Sequence, residues 1–432
     1  TFNWFRFNTN LNQEQTGGTT SSITINSVGV SDLGLYRVRI SNSYGTTIVT
    51  VPIEEGGTPA IWDGRIWNFP SGFIAQGEPN PGGLSTEVAD EDRRLIWQKG
   101  FAIMNADVVG CDCVIAAGSL VTISNEKTLK LFGDIVLNPE EPELDDMGNS
   151  TGNMKPAGQL NIYDGASLVQ TKDIDVNNNV GDIVMERLAT DINLYDYIYW
   201  SSPVEDFDIE NLSTTPKYYW NTNSMNSNGT EGNWISATGA MQKGGGYIVR
   251  VPSSENFTST FTGKPNNGKQ LLTVYKTING NQVLADKHWN LIGNPYPSAI
   301  NAEDFLNAPE NDKLEGAVYV WSRANAISDA AADPFYDDFA YNYPDSYITF
   351  NSTGSNPPNF NGNIAAGQSF FVKVDDASSA GNILFSNTMR YDNSGDVYDN
   401  SEFFSPQILS INDEKQLIWL SVVDASNNSA TT

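Results

Sequence analysis

A strand-like apolar run that ends in a proline corner occurs twice in the second half of the chain. The clearer example is W-N-L-I-G-N-P-Y-P at residues 289–297, and a short acidic, amphipathic segment follows it at Ala302–Leu306. Proline fixes φ and keeps the preceding residue extended, so the stretch predicts a strand, a stiff corner and about one helical turn. D-Y-I-Y-W-S-S-P-V at residues 196–204 has the same plan.

Three further blocks follow each corner in the same order. Four blocks in one order rarely coincide by chance, and their spacing grows along the chain as if the second copy had gained loop insertions. We therefore interpret the pattern as an internal duplication, which predicts two units that face each other in one β-sandwich or form two packed sandwiches. The alternative is that unrelated sandwich strands share aromatic–glycine patterns. The further matched blocks are 217–221 with 317–322, 245–251 with 368–374, and 260–263 with 384–387.

The composition favours strands and turns over helices. Long Ala/Leu/Glu/Lys runs are missing, while Gly, Asn, Ser and Thr are abundant, and 10 Trp, 18 Tyr and 20 Phe make up 11% of the chain. Aromatic residues are enriched in strands, and Gly, Asn and Ser are enriched in turns. With 432 residues, the chain is long enough for several domains. We therefore expect an all-β, multi-domain protein.

The charge balance excludes two classes of partner. Asp and Glu outnumber Lys and Arg by 52 to 24, which gives a net charge of -28. Nucleic acids and anionic membrane surfaces both require clustered Lys and Arg, so we expect neither as a partner. We also expect no membrane insertion, because no apolar run approaches the roughly 18 residues that a span needs. Since Thr1 is no translation start, we expect a piece of a longer or processed protein.

The first 192 residues predict two kinds of β domain. Residues 1–55 resemble the C-terminal part of an immunoglobulin-like domain, because D-L-G-L-Y at 32–36 is similar to its tyrosine corner. Val38 stands where that family has a cysteine. Residues 56–192 contain short strands between Gly/Asn turns, with recurring phrases such as G-S-L-V-T-I at 118–123. This segment predicts a small stacked β-solenoid, with a second sandwich as the alternative.

The remaining residues predict the duplicated β-sandwich or jelly-roll-like unit. We assign copy one to residues 193–286 and copy two to residues 287–405. Residues 406–432 begin a further β segment, with a predicted strand at Leu417–Asp424.

Two cysteines, Cys111 and Cys113, form the motif C-D-C. Residues at i and i+2 of a strand face the same side, but their Cα separation is near the upper limit for a disulfide. Three states stay open for this pair: free thiols, a strained disulfide, or metal ligands. A structural zinc ion normally needs four ligands, and the chain has no second Cys/His pair.

An acidic, aromatic insertion at 329–345 is the best candidate for metal binding. It occurs only in copy two, and its carboxylates could bind Ca²⁺, as oxygen-rich loops do in secreted modules. The alternative is a solvated loop. A weaker Ca²⁺ candidate is D-I-D-V-N-N-N at 173–179, which reads better as a strand with one wet face. The candidate ligands in the insertion are Asp333, Asp337, Asp338 and Asp345.

Aromatic side chains predicted to lie in loops are candidates for stacking on sugar rings. The alternative for any single one is burial in a sandwich core. The three that we predict as binding residues are Trp234, Tyr341 and Tyr343.

No catalytic residue is predicted. His288 is the only histidine, so any Ser-His-Asp device would have to use it, yet it precedes a strand like an ordinary edge residue. Gly244-Gly245-Gly246 precedes a strand, and for that reason predicts a turn and not a phosphate-binding loop. A pair of carboxylates for glycoside hydrolysis stays open as a third reading, without a motif to support it.

Several motifs together resemble one family of proteins. The corner at 289–306, D-Y-I-Y-W-S-S-P-V, A-G-Q-S-F-F-V-K-V at 366–374 and F-S-N-T-M-R at 385–390 resemble the region before the C-terminal sorting domain in large surface proteins of Bacteroidetes, especially gliding flavobacteria. W-D-G-R-I-W at 62–67 resembles the solenoid segment that precedes it. The sorting domain itself, which normally ends in a Lys-rich strand, is not among these residues.

The resemblance implies export through the type IX secretion system to the cell surface of a Gram-negative bacterium or to the medium. It implies the outer-membrane translocon as a partner during export, and glycans or other surface proteins as ligands. We therefore expect a non-enzymatic adhesion protein or surface scaffold. The alternative is a set of carbohydrate-binding modules from a larger secreted polysaccharide-degrading enzyme.

Overall fold

A computed structural model describes most residues from 93 to 401, together with separate strands on either side. Within 93–401 the gaps are 146–148, 191, 193–195, 226–230, 253–255, 279–286, 323–346 and 359. The other described residues are 2–7, 13–15, 34–42, 45–53, 60–64, 67–69, 73–74, 421–423 and 429–431.

Strands predominate in the described residues, where a single six-residue α-helix occurs, so the predicted all-β, multi-domain fold is confirmed. No helix in this part of the chain is long and apolar enough to span a bilayer. The chain separates into two compact units. Unit one comprises residues 1–161 with 178–182, and unit two comprises 162–177 with 183–432.

Unit one begins with an antiparallel sheet in the segment predicted to be immunoglobulin-like. Val38 is buried in its central region, at the position where immunoglobulin domains have a cysteine. Asp32, from the predicted tyrosine corner, lies outside the described residues. The strand order is β2-β1-β3-β4, with β1 at Phe2–Phe7, β2 at Gln13–Gln15, β3 at Gly34–Asn42 and β4 at Gly45–Ile53.

The next strands of unit one are short and lie close to the positions predicted for a solenoid. They are β5 (Ala60–Trp62), β6 (Trp67–Phe69), β7 (Phe73–Ile74), β8 (Leu95–Trp97), β9 (Gly100–Met104), β10 (Val108–Gly110), β11 (Cys113–Ile115), β12 (Ser119–Ile123), β13 (Thr128–Leu131), β14 (Ile135–Leu137), β15 (Glu141–Leu144), β16 (Ser150–Lys155) and β17 (Gln159–Ile162).

These strands stack in parallel, one coil on the next. β8 pairs with β11, β9 with β12, and β10 with β13, so each of three successive strands meets its counterpart about one coil later. β14 and β5 extend the first of these ladders on either side. Parallel stacking of successive short strands is the geometry of a β-solenoid, in which each coil buries its apolar side chains against its neighbours.

Cys113 is part of the apolar stack inside this solenoid. It is in register with Leu95 and Ile135, and all three side chains are fully buried. Burial raises the pKa of the Cys113 thiol well above its ordinary value, so Cys113 packs as a small apolar residue. Cys111 is only partly buried, and the two cysteines are not joined by a disulfide.

Unit two contains the duplicated sandwich. The strand order is β20-β23-β21-β22 in one sheet and β26-β32-β28-β29-β30 in the other, so both copies place their first long strand beside their last. Its elements are β18 (Ser167–Gln170), β19 (Ile183–Ala189), β20 (Tyr197–Trp200), β21 (Lys217–Met225), β22 (Glu231–Ser236), β23 (Tyr247–Arg250), β24 (Phe257–Gly263), β25 (Gln270–Val274), β26 (Trp289–Gly293), β27 (Ile300–Asn301), α1 (Ala302–Asn307), β28 (Leu314–Trp321), β29 (Tyr347–Asn351), β30 (Gly354–Asn356), β31 (Asn363–Ile364), β32 (Ser369–Val374), β33 (Gly381–Phe385), β34 (Ser421–Val423) and β35 (Ser429–Thr431).

The strand registers of the two copies also agree. In copy one Trp200 lies opposite Tyr247, and in copy two the corresponding Ile292 lies opposite Phe370. Each copy also has an outer pair of antiparallel strands, β19 with β24 and β25 with β33. β19 and β25 lie before the predicted boundaries at 193 and 287, and each pairs with a strand near the end of a copy.

The copies exchange equivalent hydrogen bonds, as expected for two halves related by an approximate twofold axis. The Ser201 N–H donates to the carbonyl of Gly367 at 2.8 Å, and the Gly293 N–H donates to the carbonyl of Gly244 at 2.8 Å. Ser201 and Gly293 hold the same position in the two copies. Gly244 and Gly367 also correspond, and both have a left-handed φ, +71° and +74°, which favours glycine.

The proline corner of copy two is buried and held by one side chain. The Asn294 Nδ2 group lies within hydrogen-bond distance of the carbonyls of Ser298, Ile364 and Ala365, and its Oδ1 accepts from the Tyr296 N–H. α1 follows the corner as predicted. It packs Phe305 into the core of copy two, and the Asn301 side chain caps its first turn. The corner is therefore a structural element and not an exposed binding loop.

Candidate functional site

Aromatic side chains fill the space between the four-stranded sheet of copy one and the five-stranded sheet of copy two. Tyr199 of copy one stacks on Trp321 of copy two, with ring centroids 5.5 Å apart, and its hydroxyl lies 2.8 Å from that of Tyr347. Trp220 contacts Phe371 edge to face. Rings in such offset and edge-to-face pairs contribute to stability beyond their buried area, so this cluster holds the copies together.

Trp234 belongs to this cluster and not to a loop. It lies in β22, is 8% exposed and packs against Trp220 and Phe371. Its ring is therefore covered by neighbouring aromatics and is not presented for stacking on a sugar. Tyr341 and Tyr343, the other two predicted binding residues, lie outside the described residues.

The structure describes none of the predicted metal ligands. Asp333, Asp337, Asp338 and Asp345 lie within 323–346, outside the described residues, and the described residues contain no cluster of three or more His, Cys, Asp or Glu that could bind a metal.

The weaker Ca²⁺ candidate at 173–179 forms no strand. Asp173 accepts a hydrogen bond from the Asn387 N–H, and Asp175 pairs with Lys269 at 3.1 Å. Both carboxylates therefore have partners within the protein.

His288 has both ring nitrogens engaged. Its Nδ1 accepts from the Thr277 N–H at 3.1 Å, which places the ring proton on Nε2, 3.1 Å from the Asp376 carboxylate. Burial lowers the pKa of His288, and the hydrogen bond from His288 lowers the pKa of Asp376. The histidine joins the start of β26 to neighbouring segments, and neither ring nitrogen is directed at a serine or threonine hydroxyl.

A cleft of about 480 Å³ opens at one side of copy one. Residues from β21, from the turn before β23, and from β25 and β26 line it, so both copies contribute to its walls. We call it the tyrosine cleft, after Tyr219, Tyr247 and Tyr275. Tyr219 is 37% exposed and Tyr275 is 50% exposed, so two of its rings are open to solvent.

The strand register places the first two tyrosines side by side. Tyr219 in β21 lies directly opposite Tyr247 in β23, and opposed residues of an antiparallel pair share one face of the sheet. The Tyr247 hydroxyl accepts from the Gln242 N–H at 2.8 Å, and burial raises its pKa, so the phenol stays protonated. Its own proton can therefore be donated within the cleft.

The opposite wall is fixed by Asn290. Its side chain accepts from the Tyr275 N–H at 2.8 Å and donates to the Tyr275 carbonyl at 2.9 Å. Trp220 of β21 links the two walls, because its indole N–H donates to the Trp289 carbonyl of β26 at 3.0 Å. These bonds hold the rings that line the cleft in place without using the side chain of Tyr275.

Polar side chains of the tyrosine cleft are amides and hydroxyls. Asn221 uses its oxygen to accept from the Asn223 N–H, which leaves its NH₂ group to donate. Gln242 is exposed at the mouth. No Asp, Glu, Lys or Arg is among the described residues that line the cleft.

Sequence reasoning missed this site. Its members are separated by more than fifty residues, from Tyr219 to Tyr275, and meet only because the two copies pack together. The one local signal is the alternation L-L-T-V-Y at 271–275, whose exposed positions include an aromatic residue.

The fold and its cleft define an all-β, multi-domain protein with a duplicated sandwich. Residues 148–432, two thirds of the chain, match the model of a family described as a domain of unknown function (DUF8693), so the chain belongs to this family. The match contains both copies of the sandwich. Searches of the curated proteins and of the solved structures gave no significant match.

Proposed function

We propose that the chain is part of a non-enzymatic protein that is exported by the type IX secretion system and is displayed at the surface of a Gram-negative bacterium or released from it. There it acts in adhesion or as a surface scaffold. During export its partner is the outer-membrane translocon, and its ligands are glycans or other surface proteins.

The main support is the structural use of the motifs that resemble exported surface proteins. The corner at 289–297 is buried, Asn294 ties it to the segment before β32, and Gly293 bonds to copy one. These residues build a closed sandwich and leave no reacting group exposed in the corner. An all-β body in which these motifs serve packing suits a protein that presents a surface.

The environment of His288 favours a non-enzymatic role as well. Both of its ring nitrogens have partners in the protein, Thr277 and Asp376. A general base must have a ring nitrogen within hydrogen-bond reach of the proton that it removes.

Labelling of intact cells tests the export route. An antibody against the purified chain is applied to intact producing cells, to permeabilised cells, and to cells that lack the type IX translocon. We expect labelling of intact cells or recovery of the protein from the medium, and loss of both without the translocon. Signal that appears only after permeabilisation, or that is unchanged without the translocon, would refute the export proposal.

Attachment of cells tests the adhesive role. Cells with and without the protein are compared for attachment to polysaccharide-coated and uncoated surfaces, with added Ca²⁺ or a chelator. Equal attachment in every condition would exclude adhesion. The chelator also tests the predicted Ca²⁺ site in the insertion of copy two.

A further inference from the structure

We infer that the tyrosine cleft binds a short stretch of a neutral glycan. This inference rests on the proposed function, because an adhesive protein needs a ligand. Binding is measured on the purified chain, however, so its failure can be told from failure of the export route.

The size and lining of the cleft fit one or a few sugar rings. Its volume of about 480 Å³ is within the range of ligand pockets, roughly 300–1,000 Å³. A sugar ring presents an apolar C–H face together with many hydroxyls. Tyr219 and Tyr275 offer exposed ring faces for the first, and the amides of Asn221 and Gln242 offer donors and acceptors for the second.

The charge of the protein selects for uncharged sugars. The described lining has no charged side chain, and the chain carries a net charge of -28. A strongly negative protein repels uronic acids and sulfated sugars, and the lining offers no Lys or Arg to offset that repulsion. Amides and phenols, by contrast, bind hydroxyls without requiring charge.

The equivalent place in copy two is closed. Because Trp220 and Trp321 correspond in the two copies, Tyr219 corresponds to Val320, and the shared register makes Phe370 the counterpart of Tyr247. Val320 and Phe370 are buried, at 1% and 0% exposure. The duplication therefore provides two related positions, of which only the one in copy one has open aromatic rings.

The copy-two position is filled by the core of copy two, where Phe370 packs edge to face against Phe305 of α1, with ring centroids 5.7 Å apart. The Asn400 carbonyl accepts from the buried Arg187, and the Asn400 side-chain oxygen accepts from the Ala366 N–H at 2.7 Å. Arg187 lies in β19, the counterpart of β25, and Ala366 lies in the counterpart of the turn before β23. Asn400 thus ties the segment before β32 to β19, and core side chains fill the copy-two position that is open in copy one.

Binding of the whole purified chain to soluble polysaccharides tests the inference. The probes are a mannan, a β-glucan and a xylan as neutral chains, and a sulfated and a polyuronic chain as acidic ones, in affinity electrophoresis followed by calorimetry with the matching oligosaccharides. The variants are Tyr219→Ala, Tyr275→Ala and Gln242→Ala. The control is Tyr163→Ala, which removes a tyrosine of similar exposure, 40%, that does not line the cleft.

We expect at least one neutral chain to bind. Each of the two tyrosine variants should lose about tenfold or more in affinity, as when an aromatic anchor is truncated. Gln242→Ala should weaken binding by about fivefold, the value of one hydrogen bond. Tyr163→Ala should bind like the wild type. All variants should retain the near-ultraviolet circular dichroism of the aromatic cluster. The inference is overturned if no neutral chain binds, if only acidic chains bind, or if binding survives both tyrosine substitutions.

Discussion

The contact between Ser201 and Gly293 can show whether the two copies close on each other as symmetric halves. The two residues hold the same position, and each donates its N–H to a glycine of the other copy, Gly367 or Gly244. A β-carbon added at Gly293 would clash with the Ser201 Cβ and would lie 2.8 Å from its Oγ. The same β-carbon would lie 3.0 Å from the Gln368 carbonyl oxygen, so removing the Ser201 side chain relieves most of the clash at Gly293 but not all of it.

The expected changes in the free energy of unfolding follow from this geometry. Gly293→Ser alone places two CH₂OH groups in space for one, which should cost about 1–3 kcal/mol, as overpacking does. Ser201→Gly alone removes a small buried side chain and gives the unfolded chain more conformational entropy. The two effects together should cost about 1 kcal/mol. The double variant moves the side chain across the approximate axis. Its loss in the free energy of unfolding should be smaller than the sum of the two single losses by about 1–3 kcal/mol.

Urea unfolding of the four proteins, followed by the near-ultraviolet circular dichroism of the aromatic cluster, measures this coupling. Gly381→Ser is the control, because a β-carbon there would meet only the flexible Lys313 side chain, at 3.5 Å. The reasoning is refuted if Gly293→Ser is as stable as the control, or if the double variant is destabilised by the full sum of the singles.

Three further predictions use the same unfolding measurement. Asn294→Ala should cost about 3 kcal/mol, because several buried groups lose a partner. Ser202→Ala should cost about 1 kcal/mol, because its side chain bonds only locally. Equal costs would contradict the role of the corner. Because burial lowers the pKa of His288 in the folded state, the free energy of unfolding should fall as the pH drops below about 6.5. His288→Gln should make this dependence on pH less steep. Parallel pH profiles for the two proteins would contradict this role of His288. Cys113→Ser should cost about 1–3 kcal/mol by placing a hydroxyl in the solenoid core, and Cys111→Ser less; the reverse order would be inconsistent with the stack.

Local patterns predicted the parts of the fold that depend on local physics. The proline corner and α1 follow from the restricted φ of Pro295 and Pro297 and from the amphipathic segment after them. The recurring short β runs indicated a solenoid, and the parallel ladders of unit one have that geometry. In each case the information lies within about one coil or one turn of sequence.

Features formed by distant residues could not be found in the same way. Trp234 stands among Asn, Gly and Ser residues that are typical of a loop, yet its pairing with Trp220 and its cover of aromatic rings make it a core residue. The tyrosine cleft combines β21 with β25, which belongs to the other copy. Such sites depend on how the copies pack, and a single sequence does not specify that packing directly.

The duplication explains why stability and binding can be assigned to different parts of unit two. In copy two the Asn294 side chain has partners some seventy residues away, while the side chain of the equivalent Ser202 in copy one bonds only to Val204. Copy two also has the closed counterpart of the cleft, and copy one has the open tyrosines. Each copy needs its partner to complete the interface, so neither can lose its structural positions. Other positions can differ between the copies: Tyr219 and Tyr247 line the cleft in copy one, while their counterparts Val320 and Phe370 are buried in copy two.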